Sequence, residues 1–456
     1  MNISRETIRT GDEYETEITG YTSDGEGVGR IGGAVVFVPH AIEGETVRIK
    51  IVNVGKTVAH GEILQIKTPS AHRIAPDCPY FGKCGGCDFR HMDYAEECRL
   101  KTQRVTDALT RIGGIEPQTL PMHGAEVLTG YRNKVQFPVA QRKGLAVAGF
   151  FRNRTHEIIS IESCKIQPEC ADRIRKAVLL WMKNEAVSGY EERSHTGVVR
   201  HIYVRRGAIS GEILCCVVVN CKNLPNKQTL AAALLRAEPE LTSIMLCYHE
   251  KRSNSVLGDR FETLYGTDTI RDTLCGSEFR LSARSFYQIN HDQAEKLYEK
   301  AAEFAGLDKN QTVLDLYCGA GTITLRLAKD AAFAYGVEIV AAAVEDARKN
   351  AAQNGVQNAE FFCADASQAA KRFAAEGKMP DVIVVDPPRK GLAPEGIEAM
   401  LAMQPKRIVY VSCDPATMAR DAAQICKGGY RFEKAEAFDL FPRCAHVETV
   451  VLLSRA

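Results

Sequence analysis

From Gly266 to the end of the 456-residue chain, short apolar runs alternate with helical patterns. Thr312 to Leu316, Ala332 to Val337, Val382 to Val385 and Arg407 to Ser412 each lead toward a helix-like segment. Buried strands joined by crossover helices imply a largely parallel, doubly wound sheet. Such a sheet collects ligands at the carboxyl ends of its strands, so the residues just after each run carry the most information.

After the first run, Val313-Leu314-Asp315-Leu316-Tyr317-Cys318-Gly319-Ala320-Gly321-Thr322 reads as a strand, a glycine turn and a helix starting near Ile323. Glycines there let the backbone approach a ligand. The next strand ends at Gly336-Val337-Glu338, placing a carboxylate 17 positions after Gly321, where it can accept both hydroxyls of a ribose. A dinucleotide site would want a third glycine where Thr324 stands, which disfavours pyrophosphate and suits S-adenosylmethionine, which carries no phosphate. Asp365, after Phe361-Phe362-Cys363, falls where an acid would meet the adenine.

The later strand ends carry a different chemistry. Asp386-Pro387-Pro388-Arg389-Lys390-Gly391 follows Val382 to Val385, and an acid fixed by two prolines is preorganised to hold a base. Similar Asp-Pro-Pro turns occur in methylases of exocyclic amines, which is the competing chemistry. Arg407 to Val411 ends at Ser412-Cys413-Asp414-Pro415, where Pro415 at a helix start aims the positive helix end near the thiol. Asp414 opposes that effect, yet Cys413 is expected to be activated from its ordinary pKa of about 8.5. Finally, His446-Val447-Glu448-Thr449 sets a single carboxylate before the apolar run Val450 to Leu453.

Methylation of uracil C5 asks for this pair. C5 is not nucleophilic until something adds at C6, and afterwards its proton must leave. A cysteine supplies the addition and a carboxylate the elimination, whereas an amine methylase needs neither.

Taken in order, Ser285-Phe286-Tyr287-Gln288-Ile289-Asn290, Asp315-Leu316-Tyr317-Cys318-Gly319, Asp386-Pro387-Pro388-Arg389, Ser412-Cys413-Asp414-Pro415 and His446-Val447-Glu448-Thr449 resemble the uracil-C5 RNA methyltransferase family over nearly the whole chain. The resemblance implies a Rossmann-like class I methyltransferase domain. It implies that Gln288, Tyr317, Thr322, Glu338 and Asp365 contact S-adenosylmethionine and that Asp386 beside them holds the uracil. It makes Cys413 the nucleophile and Glu448 the base. Some relatives carry Asn at the place of Thr322.

Three domains are expected: 1–68, 69–268 and 269–456. The first, from about Ile3 to Ile66, alternates β-rich runs with glycine punctuation and reads as a small antiparallel barrel. It is similar to the TRAM domain of these enzymes, an OB-like RNA-binding module. That similarity implies an RNA substrate and favours 23S ribosomal RNA over transfer RNA. The second domain, a central α+β unit, is basic: Gly130 to Arg206 holds 15 Lys and Arg against 7 Asp and Glu, with Tyr131, Phe137, Phe150, Phe151 and Tyr203 interleaved. Such a face suits phosphates and stacked bases, and equally a solvated surface. The net charge of +1 conceals it.

Sixteen cysteines are many for a reducing compartment and point to metal or catalysis rather than disulfides. Cys78, Cys84 and Cys87 lie among Pro79, Gly82, Gly85 and Gly86, which permit tight turns around one centre. Cys98, Cys164 and Cys170 are candidates for a fourth ligand, and all-thiolate ligation suits zinc or iron–sulfur. The resemblance selects Cys164 and a [4Fe-4S] cluster. Cys215, Cys216, Cys247, Cys318 and Cys363 lie in or beside apolar runs and are expected to be buried.

No apolar run approaches the roughly 20 residues of a membrane span. Met1 to Thr10 lacks a secretory apolar stretch, so a cytoplasmic location is expected, with no membrane and no obligate protein partner.

Overall fold

The computed structural model describes residues 8–456. The expectations that reach Met1 to Thr10 and a barrel start at Ile3 therefore lie partly outside the described residues. Two compact units emerge among the described residues, one of residues 8–104 with 441–446, the other of 105–440 with 447–456.

In the first unit, β1 (Glu13–Tyr21), β2 (Gly27–Ile31), β3 (Ala34–Val38), β4 (Thr46–Val54) and β5 (Ala59–Thr68) close into a barrel ordered β1-β2-β3-β5-β4. Alternation produces it: Val47, Ile49 and Ile51 are buried while Arg48, Lys50 and Val52 turn outward. The barrel differs from the expected antiparallel one at a single pair, since β3 and β5 run parallel. After it comes a cysteine-bearing loop and α1 (Tyr94–Ala108), whose buried Lys101 pairs with Glu97 at 2.8 Å. Glu97 also accepts from the Arg443 backbone N–H, tying the 441–446 segment to this unit.

The second unit holds two larger sheets. β6 (Met122–His123) belongs to the later one. β7 (Lys134–Arg142), β8 (Leu145–Phe151), β9 (Ile158–Ser160), β10 (Val199–Arg206), β11 (Ile213–Val219), β12 (Leu241–Tyr248) and β13 (Arg260–Gly266) form a seven-stranded sheet ordered β13-β12-β11-β10-β7-β8-β9, in which only β11 and β12 run parallel. Helices α2 (Glu169–Asn184) and α3 (Lys227–Ala237) pack together, Trp181 donating from its indole to Thr229 at 2.9 Å. Here the interleaved aromatics prove to be mostly core: Phe137 and Tyr203 are fully buried and Tyr131 nearly so, leaving Phe151 exposed.

A hairpin of β14 (Thr269–Leu274) and β15 (Ser277–Ser282) leads to α4 (His291–Ala305). Then β16 (Thr312–Leu316), α5 (Thr322–Ala328), β17 (Phe333–Glu338), α6 (Ala341–Gln353), β18 (Ala359–Cys363), α7 (Ala366–Ala375), β19 (Val382–Val385), α8 (Pro394–Ala402), β20 (Arg407–Ser412) and α9 (Pro415–Lys427) alternate as expected. β21 (Tyr430–Phe438) and β22 (Glu448–Arg455) complete an eight-stranded sheet ordered β18-β17-β16-β19-β20-β22-β21-β6. Its first five strands are parallel, and β22 runs antiparallel to β20. Continuous apolar runs such as Val382–Val385 suit strands covered on both faces. The strand order reverses between β16 and β19, where a doubly wound sheet opens its ligand crevice. Among the described residues, no helix is long and apolar enough to cross a membrane.

Candidate active site

Every residue singled out after these strands falls on one edge of the eight-stranded sheet. Following the sheet order, that edge presents Asp365 after β18, Glu338 at the end of β17, Tyr317 after β16, Asp386 after β19, Cys413 after β20 and Glu448 at the start of β22. Strand order thus separates a nucleoside half from a reacting half.

On the nucleoside half, Gly321 adopts φ +84°, and a Cβ there would press within 3.1 Å of the Phe361 ring. A side chain at that position would therefore meet both strain and a close neighbour. Tyr317 takes the same left-handed region at φ +72°. Glu338 is held in place by N–H donors from Gly319 at 3.2 Å and Val340 at 2.9 Å, one on each oxygen. Each oxygen keeps a lone pair, which suits two vicinal hydroxyls. Ile339 and Val340 beside it are exposed apolar groups, a surface suited to a flat base.

Asp365 caps α7, its Oδ1 accepting from Ser367 and Gln368, so only Oδ2 is left for a ligand. Beneath the turn, Asp315 accepts from the Thr324 hydroxyl at 2.5 Å, and its other oxygen is buried without a hydrogen bond. Burial pushes its carboxyl up to about 8. These acceptors, the glycine turn and the apolar flank fit a cationic nucleoside such as S-adenosylmethionine.

Gln288 and Thr322 come from different elements and meet at a residue the sequence did not signal. The buried Tyr298 hydroxyl on α4 lies beside both side chains, which ease its ionisation. Gln288 is fixed from its backbone as well, since Asn133 donates to its carbonyl at 2.7 Å.

The reacting half is set by register. Ser412 pairs with Thr449 across antiparallel β20 and β22, so the next step outward puts Cys413 opposite Glu448. Asp386 enters from β19, its N–H 3.4 Å from the Leu316 carbonyl. The prolines do not position the Asp386 turn alone. Asp421 on α9, fully buried, accepts from the Leu392 N–H at 2.7 Å and the Tyr410 hydroxyl at 2.8 Å, while Arg420 donates to the Lys390 carbonyl at 3.0 Å. Thr417 donates to the Arg389 carbonyl at 3.1 Å. This clamp holds Arg389 near both Cys413 and Glu448, whose acidities its charge raises.

The expected activation of Cys413 is not met in the substrate-free pocket. Burial first, then the charges of Glu448 and Asp386, push its thiol up to about 11. The α9 terminus does not offset them, because Asp414 occupies it, accepting from Ala416 and Thr417 at 3.0 Å each. Burial also raises Asp386 to about 7 and, with Asp386 nearby, lifts Glu448 well above the usual carboxylate range. Two acids and a thiol share this pocket with one cation, so neutral forms prevail until a ligand changes the balance.

Among the described residues, no group of three or more His, Cys, Asp or Glu side chains is placed to hold a metal ion. In the first unit, Cys84 senses Cys78 and Cys444, the Arg90 Nε donates to Cys87 at 3.4 Å and Cys444 donates to the Gly86 carbonyl. Cys164 belongs to the second unit, where its N–H donates to Asp172 at 3.0 Å. Of the cysteines expected in the core, Cys215, Cys216, Cys247 and Cys318 are buried, but Cys363 is exposed, because it ends β18, where that strand opens onto the ligand edge.

Comparison with known proteins agrees with this geometry. A family model described as tRNA (Uracil-5-)-methyltransferase matches residues 261–456, and a TRAM domain model matches residues 9–64. An uncharacterised RNA methyltransferase of Bacillus cereus is 41% identical, with 95% of each chain covered. Another from Clostridium tetani is 42% identical over 98% of this chain and 97% of that one. The Pyrococcus abyssi tRNA (uracil-54, C5)-methyltransferase, solved in complex with S-adenosyl-L-homocysteine, superposes with a TM-score of 0.78 at 26% identity, covering 96% of this chain and 100% of that chain. The strand-end acids, the glycine turn and the matching relatives place this chain in the S-adenosylmethionine-dependent uracil-C5 RNA methyltransferase family.

Proposed function

We propose that the protein methylates C5 of a uridine in RNA by covalent catalysis, with Cys413 as nucleophile and Glu448 as base. The observation that carries this reading is the β20–β22 register, which sets a thiol opposite a carboxylate at the ligand edge. Cys413 loses its proton to water, its thiolate adds to C6 of the uracil, and the electrons of the C5–C6 bond move to C5. S-adenosylmethionine, when bound, would supply an electrophilic methyl group for C5, its sulfonium S–CH3 bond breaking to leave S-adenosylhomocysteine. Glu448 then removes the C5 proton, the C6–S bond breaks and the thiolate leaves.

Asp386 holds the uracil N–H face, and Arg389 compensates charge as Cys413 and Glu448 ionise. A stacked uracil hides both ring faces, so the base must leave its helix to react. On the cofactor side, Gln288, Tyr317, Thr322, Glu338 and Asp365 hold the nucleoside and methionine parts.

The test uses Glu448→Gln protein with RNA and S-adenosylmethionine. A denaturation-resistant RNA adduct that the additional change Cys413→Ala abolishes is expected. Methylation persisting in Cys413→Ala protein would sink the mechanism. Mass spectrometry of the modified nucleoside separates 5-methyluridine from the methylated exocyclic amine that an Asp-Pro-Pro methylase would leave.

For the substrate, 23S ribosomal RNA follows from the sequence resemblance. Transfer RNA is the second reading, favoured by the likeness to the Pyrococcus enzyme over 96% of this chain. That likeness extends over so much of the chain that the barrel alone does not separate the two. Methyl incorporation into purified transfer RNA and 23S RNA, side by side, does.

We also propose the [4Fe-4S] cluster on Cys78, Cys84, Cys87 and Cys164 from donor chemistry and resemblance alone, and no catalytic step runs through it. Colourless protein with stoichiometric zinc after anaerobic purification would overturn it.

A further inference from the structure

The seven-stranded sheet of the second unit carries a cleft of about 780 Å³ that the methyl-transfer edge does not use. Its floor is the end of β7, from Pro138 to Arg142, with the start of β10. Three loops wall it, around residues 151–158, 190–193 and 252–256.

The charges in these walls are unevenly balanced. Glu157 is engaged by Arg152 at 2.8 Å and Arg142 at 3.7 Å, and Glu192 by His156 at 2.7 Å. Arg193 and Arg252, on two different walls, have guanidinium groups with no carboxylate or hydrogen-bond partner among the described residues. Both loops are nevertheless held in place. The Arg200 guanidinium, buried and 4.5 Å from the centre of the Tyr190 ring, donates to the carbonyls of His249 and Lys251 at 2.8 and 2.9 Å, which anchors the Arg252 loop. Tyr190 bonds His195 through its hydroxyl at 2.7 Å, and Glu191 and Thr196 close the Arg193 hairpin. Unpaired guanidiniums on ordered loops are preorganised anion sites. On the third wall, Phe151 is exposed and its ring lies 5.4 Å from that of His156, a platform on which a base can stack.

We propose that this cleft binds a single-stranded stretch of the substrate RNA, Arg193 and Arg252 taking phosphates and Phe151 a base, remote from the uridine being methylated. The inference rests on the RNA methylation reading above and extends it to how the enzyme selects its RNA. β7 links the two places: Asn133 just before it holds the Gln288 carbonyl, and Gln141 lines the cleft. Five to eight residues of strand at about 3.3 Å each put the cleft roughly 16 to 26 Å from the Gln288 carbonyl. Contacts at that distance add to RNA affinity without touching the reacting atoms.

The experiment compares wild type with Arg193→Glu/Arg252→Glu, and with the milder Arg193→Gln/Arg252→Gln in case charge reversal disturbs the loops. The probes are a short fluorescein-labelled single-stranded RNA of mixed sequence, the same sequence as a duplex, and polyglutamate as competitor. Both variants should bind S-adenosylhomocysteine like wild type. The single strand should bind about tenfold more weakly, with the salt dependence of log affinity shallower by about 1.4 for two lost phosphate contacts. With total RNA as substrate, KM should rise in the same proportion while kcat stays within twofold.

Unchanged affinity and salt dependence in both variants would overturn the proposal. Preferential binding of the duplex would overturn it too, and displacement of the RNA by polyglutamate would point to an acidic protein partner instead. If the single strand binds through these arginines but wild type methylates no RNA, the cleft stands and the methylation reading falls.

Discussion

With Cys413 facing Glu448, and Asp386 close to both, removing a proton from one group makes the next harder to remove, and the three titrate as a set. The thiol near 11 follows from burial first and from that coupling second, with Arg389 as the opposing charge. Once ionised, Glu448 opposes the Cys413 thiolate, so in Glu448→Gln protein Cys413 should be more acidic and, as pH is raised until Glu448 is charged in wild type, react with iodoacetamide about threefold faster or more. Arg389→Met should slow it. Mass-spectrometric mapping of each labelled cysteine, with exposed Cys363 as internal reference, checks both, and equal Cys413 rates in all three proteins would refute the coupling. In the sequence, Cys413 was legible as nucleophile because uracil chemistry needs a thiol and a carboxylate together. Its acidity was not, because the local signal was a helix start, whereas the outcome depends on charges brought in by β19 and β22.

At the scale of elements, α9 does more than follow β20, since Asp421 and Arg420 hold the turn that carries Asp386 and Arg389. Asp421→Ala leaves the Leu392 N–H and Tyr410 hydroxyl buried without their acceptor, at a cost of about 1–3 kcal/mol for each unsatisfied group. The variant should melt earlier and lose kcat, while S-adenosylhomocysteine affinity, set on the β16 to β18 side, stays near wild type. A proportional loss of that affinity would mean the clamp acts on the whole sheet edge. Gly391→Ala should act in the same direction, because φ is +74° and a Cβ would lie 2.5 Å from the Asp421 carboxylate. By contrast, Asp365→Ala removes the cap of α7, costing about 1 kcal/mol, and should weaken S-adenosylhomocysteine without changing Cys413 labelling. Turn motifs such as Asp386 to Gly391 could be read from sequence because proline and glycine act locally. Asp421, Tyr298 and Asn133 could not, since each is an ordinary residue on its own helix or loop and gains its role only through a distant partner.

Over the whole molecule, what could be read followed the range of the interactions. Barrel strands and βα units announce themselves through alternation and apolar runs within a few residues. The order of the seven-stranded sheet depends on pairings such as β10 with β7, more than 60 positions apart, and the aromatics Phe137 and Tyr203 looked like a binding face because that pairing was invisible. One consequence of the fold is felt by the second unit as a whole: its ligand edge keeps carboxyl groups buried in their neutral forms. Asp386 near 7 and Asp315 near 8 stand above their unfolded values of about 3.9. Between about pH 4 and 8 the folded state therefore binds more protons than the unfolded state, so these groups make stability fall as pH rises through that window. Below it the sign reverses, because carboxylates held down by partners, such as Asp381 beside Lys406, lose those interactions when protonated. The buried His91 and His201, held neutral in the fold, oppose that fall below about pH 6.5, so the carboxyl groups dominate from pH 7 to 8, where the ligand-free protein should melt at a falling temperature. Trp181, the single tryptophan and buried in the second unit, reports the transition by fluorescence. Asp386→Asn should narrow the gap between pH 6 and pH 8, since an amide carries no charge to bury. An equal change in melting temperature from pH 6 to pH 8 in both proteins would show that the Asp386 carboxyl is solvated and ionised in the folded enzyme.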